Sequence, residues 1–155
     1  QRLDDFYKYS VEMQLAGAQQ AVEFVNEHVH KDFEGVMHVT SKIQGAPEQK
    51  ETAVMTKYEY VRDTKKAYEI STIEDVQSGI VSHKISEDGR SAEVKDRSYV
   101  MASVPVTAPS GKSEVFHLRQ YVNCDNTFVL SEDDVIQLKT SSCEVEGELS
   151  KAQGL

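Results

Sequence analysis

The chain has 155 residues, 39% of them apolar and 28% charged, which suits one globular domain with enough chain to bury a core. Seventeen basic side chains stand against 26 acidic ones, a formal charge of -9, and the single basic pair Lys65-Lys66 is too small a footprint for nucleic acid or an anionic membrane surface. No run approaches the roughly 18 apolar residues of a membrane span, and because the first residue is Gln1 and not Met, an upstream segment is expected to have been lost by processing or truncation.

Residues 3 to 29 are predicted to form one long helix. Tyr7, Val11, Leu15, Ala18, Val22, Val25 and Val29 recur at alternating spacings of three and four, one apolar stripe facing a core. Asp4 and Asp5 suit the positive end of its dipole. Gly35 offers a helix stop, and Val36 to Ile43 is a short β-rich run broken by GAPEQ. ETAVMTKYEYVR fits a helix, with Val54, Tyr58 and Val61 on one face, or a strand, with Val54, Tyr58 and Tyr60 alternating. The helix is preferred because Pro47 and the charged run after it open helices better than strands.

From Ala67 the pattern is β throughout. AYEISTIEDV alternates, Gly79 permits a bend, EDGR is a strong hairpin turn, and TAPSGK joins SAEVKDRSYVMASVPV to SEVFHLRQYVNCDNTFVL. A long helix, a short strand, a second helix and then consecutive hairpin-linked strands make an α+β domain over residues 1 to 146, with 147 to 155 as a flexible tail.

Both cysteines flank one acidic turn in YVNCDNTFVLSEDDVIQLKTSSC. With Asp133 and Asp134 at the centre of a two-residue loop, Leu130 faces Gln137, Phe128 faces Lys139 and Cys124 faces Cys143, close enough for a disulfide. A loop shifted by one residue would set Cys124 against Ser142 instead, and two free half-buried thiols are the other reading. A stable disulfide implies an oxidising compartment, a periplasm or the cell exterior.

The succession IEDVQSGIVSHKISEDGRSAEVKDRSYVMA, then KSEVFHLRQYVNCDNTFVLSEDDVIQLKTSSC, resembles the nuclear transport factor 2-like superfamily, also called SnoaL-like or cystatin-like. Its members close with a Thr-aromatic-Val-Leu strand end, an acidic turn and a returning strand, as TFVLSEDDVIQLKTSSC does here. The resemblance covers residues 3 to 145. It implies a cone-shaped α+β barrel, a strongly curved antiparallel sheet around a long N-terminal helix with a pocket between, and a homodimer formed through the outer sheet face. The scaffold hosts isomerases, dehydratases, polyketide cyclases and binding proteins, so the pocket must decide.

The ketosteroid isomerase type carries its carboxylate base on the strand after the first helix. Here that strand is VMHVTSKI, with His38 and no carboxylate. His38 could serve as base, and His83 or His117, with Asp96, Arg97, Tyr99, Arg119, Tyr121 and Asp125, could form an Asp-His pair inside the cone or lie on the outer face. His28 and His30 do not share a helix face, so no metal is expected. There is no nucleophile elbow or phosphate-cradling loop, and no cofactor is expected.

Of the seven tyrosines, Tyr58, Tyr99 and Tyr121, with Arg119, are the candidates for a mixed apolar and hydrogen-bonding pocket; Tyr60 and Tyr68 lie in the same middle segment as Tyr58. The expected function is non-catalytic: an exported domain binding a small hydrophobic ligand or a protein partner through the pocket or the outer sheet face. The alternative is a cofactor-independent lyase or isomerase with His38, His83 or His117 as general base.

Overall fold

The computed structural model describes residues 2 to 151. In chain order they form α1 (Arg2–Ala16), α2 (Ala18–His28), β1 (Val29–Ile43), β2 (Gln49–Met55), α3 (Lys57–Ile70), β3 (Thr72–Ile85), β4 (Ser91–Thr107), β5 (Ser113–Leu130) and β6 (Ile136–Lys151). The strands make one curved, unclosed sheet in the order β2-β1-β6-β5-β4-β3, and the helices pack on its inner face. No described helix is long and apolar enough to cross a membrane.

The α+β fold is the expected one; β1 starts at Val29 and not Val36, α3 runs to Ile70 past the Ala67 at which strand was expected, and four further differences matter more. The sheet is mixed: β1 runs parallel to β6, Gly35 beside Ser141 and Ile43 beside Leu149, while every other neighbouring pair is antiparallel. The expected long helix is two. Gly17, at φ 126° and ψ -178°, sits in a region open essentially to glycine alone, and it breaks the helix there. Around the break the apolar stripe is interrupted: Leu15 and Ala18, expected within it, are exposed and Ala21, outside it, is buried, while Tyr7, Val25 and Val29 are buried as expected.

The third difference lies in the segment expected to open a helix after Pro47. Gln49–Met55 is strand β2, paired with β1 from Ser41↔Gln49 to Gly35↔Met55 after a turn at Gly45. The helix starts at Thr56, whose side chain accepts from the Glu59 N–H while the Glu59 carboxylate accepts from the Thr56 N–H at 3.1 Å. This reciprocal capping box satisfies two donors that a helix end otherwise leaves open, and it overrides the weaker helix signals upstream. Finally, β6 continues through Lys151, so 147 to 151 are strand and not tail; residues 152 to 155 lie outside the described residues.

The β5-β6 hairpin reaches the expected cysteine pairing by an unexpected route. Its loop has three residues, not two: the Ser131 N–H donates to the Val135 carbonyl at 2.9 Å, and Asp134 takes φ 61°. Leu130 therefore pairs with Ile136 and Phe128 with Leu138, one residue off the expectation. A bulge then intervenes, since Thr127 pairs with Thr140, and it restores the register that sets Cys124 against Cys143. The two are bonded, with S–S 2.03 Å and Cα atoms 4.1 Å apart.

Two apolar clusters hold the helices to the sheet. Tyr7 of α1 packs with Ala92, Val94, Phe128 and Ile136, and Val25, Val29 and Phe33 pack with Met55, Tyr60 and Val61. Leu138 touches both, and between them the packing leaves a cavity.

Candidate functional site

Alternation along the strands decides what faces the helices. On β4 the inward residues are Asp96, Ser98 and Val100; on β5 they are Gln120, Val122, Cys124, Asn126 and Phe128; on β6, Leu138, Ser141 and Cys143. The helices oppose them with Phe6, Tyr7, Phe24 and Val25 from α1 and α2, and Tyr60, Asp63, Thr64 and Tyr68 from α3. Together they enclose a cavity of about 480 Å³, within the range of small-molecule sites. Its wall is mostly apolar and aromatic, and the disulfide is part of it.

One polar cluster interrupts this wall. Asp96 is 7% exposed, Asn126 8% and Tyr7 7%. The Tyr7 hydroxyl donates to Asp96 Oδ2 at 2.5 Å, and the Asn126 amide donates to the same oxygen at 2.6 Å and to the Tyr7 hydroxyl at 3.3 Å. Ser141 Oγ donates to Asn126 Oδ1 at 2.7 Å, which fixes the amide so that its NH₂ faces the carboxylate. Two elements besides β4, α1 and β5, thus converge on one carboxyl, and β6 holds the amide that bonds it. Asp96 Oδ1 has no hydrogen-bond partner among the described residues.

Burial sets the protonation of this cluster. Desolvation pushes the Asp96 carboxyl above the ordinary carboxylate value, against the opposing pull of the hydrogen bonds from Tyr7 and Asn126. Burial likewise raises Tyr7 and Tyr60, and the neighbouring Asp96 charge adds to both shifts. The cluster stays neutral in its tyrosines and holds its proton on Asp96 to higher pH than a solvated acid would.

The side chains predicted for the site lie elsewhere. His38 is exposed on β1, its Nδ1 3.1 Å from Thr52 Oγ1, and His83 is exposed on the edge strand β3. His117, Arg119 and Tyr121 alternate with the cavity residues of β5 and so occupy the outer face. Tyr99 lies across from Tyr121, with ring centres 5.1 Å apart, and Tyr58 is 76% exposed on α3. None of these lines the cavity, and no Asp-His pair forms there.

Asp96 alone of the proposed acid-base set faces inward, and Tyr60 and Tyr68 line the cavity where Tyr58 does not. Asn126 and Ser141 complete the cluster without belonging to any motif in the sequence. The signal that could have found Asn126 was its place two residues after Cys124, on the same strand face as an inward cysteine. Tyr68 also donates to the Gln14 carbonyl, tying α3 to the end of α1 beside the Gly17 break.

Neither a family model nor a curated protein matches the sequence. Solved structures do. A conserved protein from Planctomyces limnophilus aligns with 95% of this chain and 99% of its own at 14% identity and TM-score 0.54. The Kfla4162 protein of Kribbella flavida aligns with 93% and 89% at 12% identity and TM-score 0.53. ActVI-ORFA from Streptomyces coelicolor aligns with 90% of each chain at 11% identity and TM-score 0.50. The likeness is one of fold alone, and the α+β fold is consistent with the nuclear transport factor 2-like cone that the strand succession resembles.

Proposed function

We propose that the chain is a non-catalytic binding protein that takes one small, largely apolar molecule into the cavity between helices and sheet. The observation that carries this is the cavity itself: about 480 Å³, walled by rings and aliphatic side chains, with a single buried polar cluster able to orient a guest. Export is part of the proposal. The Cys124–Cys143 bond lies in the cavity wall, so the site as described belongs to an oxidising compartment. A second copy is proposed to cover the outer face around Tyr99 and Tyr121, where two ring systems lie side by side.

A lyase or isomerase is the second reading, supported by one feature, a buried carboxyl whose proton is held above the ordinary range. The acid would then be Asp96 and not a histidine.

Titration with Nile red, a neutral polycyclic fluorophore, tests the binding proposal. Saturable one-site uptake is expected, abolished by Val122→Trp, which fills the cavity from the sheet side. Uptake that does not saturate, or that Val122→Trp leaves intact, would place the dye on the surface and reject the proposal.

A further inference from the structure

Among the described residues, the charged side chains lining the cavity are Asp63 and Asp96, with no Lys, Arg or His. An anionic guest would find no countercharge. Asp63 is half-buried on α3 and already bonded by Arg62 Nε at 3.1 Å. Asp96 has no such partner. Its Oδ2 accepts two hydrogen bonds, and its Oδ1 accepts none from the described residues although the side chain is more than nine-tenths buried.

A buried carboxylate that lacks a cation is costly, and the cost is met either by a proton or by a positive group brought close. The groups around Asp96 on the cavity side are uncharged: Tyr7 from α1, Tyr60 from α3 and Asn126 from β5, the last held by Ser141 of β6, while its chain neighbours Lys95 and Arg97 are exposed and alternate to the other face of β4. Asp125, on the far face of β5, adds only a like charge. The protein therefore leaves the countercharge to the guest. Around it stand the rings of Phe6, Phe24, Phe33 and Phe128, whose faces attract cations as well as apolar bodies.

We propose that the cavity is a site for an organic cation, a protonated amine on an apolar body, with the ammonium against Asp96 and the body among the rings. This rests on the reading of the cavity as a small-molecule site and names the class of molecule it selects. The net charge of -9 works in the same direction by enriching cations near the protein. Loading exchanges one positive group for another: Asp96 gives up its proton as the ammonium arrives. Amine affinity accordingly climbs with pH as long as Asp96 still holds its proton in the free protein, and levels off once Asp96 is ionised there.

Calorimetric titration with 1-naphthylmethylamine, 1-naphthalenemethanol and 1-naphthoate, three probes of one shape and different charge, tests this. The amine is expected to bind about tenfold tighter than the alcohol at neutral pH, with the carboxylate weakest. Asp96→Asn should remove the preference, bringing the amine's affinity level with that of the alcohol in the same variant. Should that variant not fold, the wild-type protein decides alone: in the acidic range where free Asp96 still holds its proton, the amine's affinity should climb with pH and its heat should change with the buffer that takes up the released proton, while the alcohol shows neither effect. An alcohol or carboxylate that binds as tightly as the amine overturns the cation proposal and leaves the cavity reading standing. Failure of all three probes, together with Nile red, overturns both.

Discussion

Reducing the disulfide should cost the protein about 3 kcal/mol. The bond joins residues 19 apart in sequence. In the chain-entropy account, a closed loop of that length removes about 11 cal/mol/K from the unfolded ensemble, or about 3 kcal/mol at 25 °C. For a chain of this size, that is a fall of about 6 to 12 °C in melting temperature. Urea unfolding of the oxidised protein, and of the same protein held in tris(2-carboxyethyl)phosphine, measures the difference without changing a residue. The denaturant slope should also rise on reduction, because an uncrosslinked unfolded chain exposes more surface. The double variant Cys124→Ala/Cys143→Ala should match the reduced protein apart from a small cavity cost at buried Cys143. If oxidised and reduced forms unfold within about 0.5 kcal/mol of each other, the entropic account fails for this hairpin.

Because burial raises the Asp96 pKa in the folded state, the protonated carboxyl favours folding below the ordinary value of 3.8, and that contribution is lost as pH rises through the folded-state value. Asp96→Asn should therefore gain on the wild type as pH rises from 3.8 to the folded-state value of Asp96 and keep that gain above it, and a pair of pH-stability curves that stay parallel throughout would contradict this. Gly17→Ala forces a side chain into φ 126° and should cost about 1 to 3 kcal/mol, read from urea midpoints. At Gly35 a Cβ would meet the Phe33 ring at 2.7 Å, so Gly35→Ala should displace a core side chain at a cost of about 1 to 3 kcal/mol. Thr56→Ala deletes the capping box, and a loss of about 1 kcal/mol in the same assay is expected.

The strands were legible because alternation and turn residues act locally. EDGR marks a real turn, with Gly89 at φ 68°, and the acidic turn sets the two cysteines opposite one another. The cysteine pairing came out right through two compensating departures, a longer loop and a bulge, neither of which a two-residue template contains. The helix break at Gly17 was also present locally, but seven apolar residues in near-perfect phase outweighed it. At Thr56 the pattern Thr-x-x-Glu named the true helix start, while Pro47 and its charged followers drew the boundary too early.

The site was less legible, and the reason is geometric. Alternation separates two faces of a strand and does not say which one is inside, so Asp96 and Arg97 look alike until the helices choose. The histidines drew attention by their chemistry, yet His38 and His83 are on exposed positions. Tyr7 was placed correctly as an inward residue of the first helix. Its partnership with Asp96 and Asn126 joins residues 89 and 119 positions away, a distance over which no local pattern carries information.

The parallel contact between β1 and β6 also orders events during folding. The β1-β2 hairpin is complete by Met55, but the strand that covers its other edge begins at Ile136, after most of the chain has been made. Until then it is a two-stranded ribbon with an open edge, marginal by itself and able to pair with another chain. In the finished sheet β6 lies between β1 and β5, so it is the strand that joins the β1-β2 ribbon to β5, β4 and β3. Such long-range pairing slows folding, and newly made chains should be most prone to aggregate in the interval before the last strand emerges.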